Sequence, residues 1–68
     1  MQNFDSFART SAKAFRNRAD RAAERAKELI SEGQYAAASD AIVDAVRYDS
    51  LAKEYEFIVE SYNVMEAV

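Results

Sequence analysis

Apolar positions recur at helical spacing along almost the whole chain. Phe4, Ala8, Phe15, Ala19, Ala22, Ala26, Leu29 and Ile30 fall on one continuous stripe when residues are projected at about 100° each. The pattern predicts one long helix over about residues 4–32. Asn3, Asp5 or Ser6 can cap its start, because short polar side chains accept hydrogen bonds from the unpaired amides there. Gly33 marks its end, since glycine enters the left-handed conformation without strain. A break near Asn17 would shift the phase of the stripe, and the phase is kept. A second helix is expected over 35–48, with Tyr35, Ala38, Ile42, Ala45 and Val46 on one face. Asp49 or Ser50 then caps a third helix over 51–66, in which Leu51, Tyr55, Ile58, Tyr62 and Met65 alternate at spacings of four and three, as a coiled-coil seam does. Phe57, Val64 and Val68 lie on nearly the opposite face. A helix apolar on two opposed faces needs two partners. In a chain of three helices, one of those partners is expected to be another molecule.

Composition sharpens this all-α expectation of a single small domain, a helical hairpin with a long first helix plus a C-terminal third helix. Of 34 hydrophobic residues among 68, 14 are alanine, so only 20 larger side chains can build a core. A chain this short buries about 60% of its unfolded surface even when well packed. Disulfides, metals and oligomerisation are the usual remedies. With no cysteine and no histidine, a homodimer is the leading expectation. The same absence removes thiolate and imidazole chemistry and soft-metal ligand sets, and one glycine cannot build a phosphate-cradling loop. The chain therefore reads as non-enzymatic, with no cofactor and no metal. No apolar run approaches the roughly 20 residues that span a bilayer. Arg9, Lys13 and Arg16 interrupt any signal-peptide centre, so no membrane contact and a cytoplasmic location are expected.

Residues 33–50, Gly33 to Ser50, resemble the second half of a tetratricopeptide repeat. That family sets Gly-x-Tyr before its second helix, then small, large apolar and small residues at fixed offsets, and usually closes on Asp-Pro. Gly33, Tyr35, Ala38, Ile42, Ala45 and Asp49 match, and Ser50 replaces the proline. In the first half Ala26 and Leu29 fit, whereas Ala22 and Arg25 stand where tryptophan and leucine are usual. The resemblance covers about residues 19–50. It implies a closely packed antiparallel hairpin and a concave first-helix surface at Asp20, Ala23, Glu24, Lys27, Ile30 and Ser31. These are not the asparagine-rich set with which the family clamps a terminal carboxylate. Only one such unit is present, and repeat arrays need about three to bury a continuous core.

Charge is uneven. Residues 1–27 hold seven basic against three acidic side chains, and residues 28–68 hold two against nine. Arg18, Arg21 and Arg25 on one flank, with Arg9, Lys13, Arg16 and Lys27 on the other, raise nucleic-acid binding as an alternative. Helix pairs such as Arg16–Asp20, Arg21–Glu24 and Glu24–Lys27 account for the same charges as a solvated surface, and the chain is acidic overall. A purely structural oligomer is the other alternative. The carboxylates Asp40, Asp44, Glu54, Glu56 and Glu60 lack the histidine that carboxylate metal bundles require. The reading that best absorbs these features is a protein–protein interaction module that regulates or inhibits a partner by covering a surface. Its expected contact patch is Tyr48, Phe57 and Val64, rimmed by Arg21, Arg25 and Glu60. Phe4, Phe7, Phe15, Leu51, Tyr55, Ile58, Tyr62 and Met65 are expected to pack the core or a dimer. By analogy, small acidic factors of this kind include phage-encoded inhibitors.

Overall fold

The computed structural model describes the backbone of residues 2–67 and the side chains of residues 4–66. Two helices account for nearly all of it, α1 (Gln2–Ser31) and α2 (Tyr35–Ala67). Helix α1 begins before the proposed caps, so Asp5 lies inside its first turn and pairs with Arg9 at 3.2 Å. Gly33, at φ 76°, ends α1 as expected. Its amide donates to the Ile30 carbonyl at 3.0 Å, and the Gln34 amide donates to Leu29 at 2.9 Å. These two bonds form a Schellman motif and satisfy carbonyls that the helix end leaves open. The Gln34 carbonyl in turn accepts the first amide bond of α2, from Ala38 at 2.9 Å. Three residues, Glu32, Gly33 and Gln34, thus separate the two helices.

The third helix is a correction. Helix α2 runs without interruption through Asp49 and Ser50 to Ala67. Neither residue breaks a helix, because each costs only a few tenths of a kcal/mol in helix propensity and Ser50 retains the amide that the family's proline would lack. Asp49 does not cap anything; its carboxylate reaches Arg16 at 2.7 Å and Lys53 at 3.1 Å. The hairpin is compatible with a helical-repeat-like unit, but its second helix does not stop where the tetratricopeptide pattern stops.

The core is an alanine seam. On α1 it consists of Ala8, Ala12, Phe15, Ala19, Ala22, Ala26 and Leu29, at alternating spacings of four and three. On α2, Ala38, Ala41, Ala45, Tyr48, Ala52, Tyr55, Val59 and Tyr62 repeat in the same way. All are buried or half-buried, and Ala8 and Ala52 have no exposed surface. The unbroken phase from Ala38 to Tyr62 is the reason α2 is one helix: any break near Ser50 would throw half the seam off the partner. Tyr55 and Tyr62 stay in the seam as expected, while Ala52 and Val59 take the places expected for Leu51 and Ile58. Leu51 and Ile58 sit half-buried on its edge and Met65 is 68% exposed. Phe4, Ile30, Tyr35, Ile42 and Val46, expected on core faces, are also exposed.

Small residues let the helices lie close, and the resulting body is long and thin, 52 × 17 × 13 Å. The long axis matches a straight helix of 33 residues at about 1.5 Å per residue. The radius of gyration is 15.3 Å, against about 11 Å for a compact domain of this length.

Candidate protein interface

The two long sides of the hairpin differ in chemistry. One is polar. Arg16 reaches across from α1 and grips Glu56 with two parallel bonds of 3.0 Å, while a third nitrogen donates to Asp49 at 2.7 Å. The hydrogen bonds from Arg16 hold the carboxyls of both Glu56 and Asp49 below their ordinary range, and Lys53 adds to the effect on Asp49. The same two carboxylates raise the Arg16 guanidinium. Arg9 extends this side by donating to Asn63 at 2.7 Å.

The opposite side is aromatic. Phe15 stacks between Tyr55, at 5.7 Å between centroids, and Tyr48, at 6.2 Å. Phe7 meets Tyr55 edge-on at 5.9 Å, and Phe4 joins Phe7 to Tyr62 at 6.2 and 6.0 Å. The Arg18 guanidinium lies over Phe15 and Tyr48, 5.6 and 5.8 Å from their centroids, which is within cation–π range. The N-terminal phenylalanines and the tyrosine row are thereby one cluster. Phe4 and Phe7 nevertheless remain about half exposed.

A third surface lies on the back of α2, half a turn round from the seam. Val43, Ser50, Phe57 and Val64 repeat there every seven residues, with Val43 52%, Phe57 71% and Val64 60% exposed. Val46, Lys53 and Glu60 form the adjoining row. Phe57, Val64 and Met65 enclose a shallow depression with Glu60 and Ser61. Three members of the expected contact patch, Phe57, Val64 and Glu60, are thus brought together. Tyr48 is not among them; it is half-buried in the seam beneath Arg18. Arg21 and Arg25 line a separate groove on α1 with Asp20, Glu24 and Glu28. Sequence reasoning missed Met65 as a patch residue because it placed that side chain in the seam. Val68 lies outside the described residues.

Several basic side chains already have partners within the chain. Arg9 and Arg16 are held by Asp5, Asp49 and Glu56, Lys27 pairs with Glu24 at 3.2 Å, and Arg18 covers aromatic rings. Of the helix pairs expected on α1, Arg16 turns to α2 instead of Asp20. Among the described residues no group of acidic side chains is arranged to hold a metal ion, and no helix is long and apolar enough to cross a membrane. No family model, curated protein or solved structure matches the chain.

Proposed function

We propose that this hairpin is a non-enzymatic protein–protein interaction module that binds another chain through its helix faces and regulates or inhibits that partner by covering part of its surface. The observation that carries the reading is a surplus of exposed surface with large apolar side chains on it. A compact monomer of 7.7 kDa exposes about 4,300 Å², whereas this chain exposes 5172 Å². The excess, roughly 850 Å², is close to the ~800 Å² that each partner contributes to a standard interface. Phe57, Met65, Val46 and Val64, all at least 60% exposed, stand on the outside of α2 while alanines fill the seam. Repeat-like hairpins bury such outer faces against a neighbouring unit, and here the neighbour is a separate chain.

Two measurements on the purified chain test the proposal. Its mass is followed by sedimentation equilibrium, and any protein captured from extract is purified and titrated back. A mass above that of one chain, or a titration that saturates and weakens at least about tenfold in the double variant Phe57→Asp, Val64→Asp, supports it. A chain that stays monomeric at all concentrations and titrates nothing overturns it.

A further inference from the structure

We infer that the occupant of the α2 outer face is a second copy of this chain, lying antiparallel with Phe57 on the two-fold axis; this rests on the interaction-module reading above. The row Val43, Ser50, Phe57 and Val64, with Val46, Lys53 and Glu60 beside it, is a second heptad seam on a helix whose first seam is already used. Charge selects how two such rows meet. In a parallel pair, Lys53 faces Lys53 of the second copy and Glu60 faces Glu60. In an antiparallel pair centred between Ser50 and Phe57, Lys53 again meets its own copy near the axis. With Phe57 on the axis, Lys53 of each copy comes level, within about one residue rise of 1.5 Å, with Glu60 of the other. A two-fold axis keeps each flank on its own side, so both crossed pairs form on the same flank where these residues already stand.

The remaining layers are complementary in size. Ser50 faces Val64 of the second copy, small against large, on both sides of the Phe57 pair. On the other flank Glu54 meets Ser61, so no like charges are opposed. Lys53 is free to make the exchange: its bond to Asp49 joins side chains 70% and 37% exposed, and surface pairs of this kind hold weakly. Asp49 keeps Arg16 when Lys53 leaves. The arrangement covers Phe57 and Val64, which are 71% and 60% exposed in the single chain.

The chain has no cysteine, so single thiols report the geometry. Variants Ser50→Cys, Phe57→Cys and Val64→Cys are treated with a short bifunctional maleimide after circular dichroism confirms their helicity. Phe57→Cys is expected to link to itself, and Ser50→Cys to link to Val64→Cys when the two are mixed. Ser50→Cys alone should not link, because its two copies stand about 21 Å apart along the axis (14 residues at ~1.5 Å). Charge reversal supplies a second readout. Lys53→Glu and Glu60→Lys should each weaken self-association about tenfold, and an equimolar mixture should recover it, since the mixed pair restores both contacts. Self-linking of Ser50→Cys, or a dimer in which none of these links forms, overturns the inference while leaving the interaction module standing. A monomeric mass overturns it as well, and the titration with a captured protein then decides the broader reading separately.

Discussion

Substituting Ala52 by leucine separates a close-packed alanine seam from a core that is merely underfilled. Ala52 has no exposed surface and lies in the seam between Tyr48 and Tyr55. If the helices stood apart with room between them, three added carbons would stabilise the fold by about 2.4 kcal/mol at ~0.8 kcal/mol each. In a seam already at contact, the same atoms force side chains off their rotamers or the helices apart, at a cost of about 1–3 kcal/mol. The two descriptions differ in sign. A chain of 68 residues has a total stability of roughly 3–10 kcal/mol, so a loss of about 2 kcal/mol lowers the melting temperature by roughly 8–16 °C. Thermal melts followed by circular dichroism at fixed concentration measure it. Ala36→Leu, at an exposed position of the same helix, serves as the control, and its effect should stay within about 0.5 kcal/mol. A leucine at position 52 that leaves the melt unchanged or raises it would refute the seam.

Three further outcomes follow from the geometry. Ser50→Pro should cost about 3 kcal/mol or more, because it removes an amide bond and clashes with the preceding turn in mid-helix; full helicity with an unchanged urea midpoint would mean that α2 is interrupted there after all. Gly33→Ala should cost about 1 kcal/mol from the left-handed backbone alone, since an added Cβ meets nothing within 4 Å, and urea unfolding that shows no loss would count against the positive φ. The fold lowers the pKa of Asp49 and Glu56, so their contribution is present above the ordinary carboxylate range of about 4 and is lost as pH falls through the folded values. Stability measured between pH 6 and pH 2 should therefore fall less steeply in Arg16→Met than in the natural chain, and parallel curves would contradict the assignment.

The helical class, the long first helix and the turn at Gly33 were legible in the chain because they depend on local signals: an apolar period and one residue that tolerates positive φ. The aromatic cluster was legible in part, as a concentration of large residues near the N-terminus and a tyrosine row. The number of helices was not. Asp49 and Ser50 resemble a cap when read over four residues, and only the phase from Ala38 to Tyr62 shows that the helix continues. That phase is written largely in alanine, which hydropathy ranks below the exposed Phe57, Val46 and Met65. Among the described residues every buried position but Leu29 is an alanine, and the larger seam residues are only half-buried. The long-range bonds of Arg16 were hidden for another reason: a local partner, Asp20, stands one turn away, and only the antiparallel register brings Glu56 and Asp49 nearer.

The aromatic side has a consequence for the order in which the hairpin forms. Near the turn, contacts such as those among Ala26, Leu29, Ala38 and Ala41 join residues close in sequence. At the open end, Phe4 touches Tyr62, 58 residues away. Closing such a contact directly confronts a larger loop entropy, which grows by about 0.6 kcal/mol with each doubling of the loop. Loop entropy therefore favours closure from Gly33 outward. Ring-to-ring contacts, worth about 0.5–1.5 kcal/mol each beyond their burial, are gathered in the half of the hairpin away from the turn. The phenylalanines and tyrosines act as a latch on the slow end of a zipper whose alanine teeth could not hold it shut.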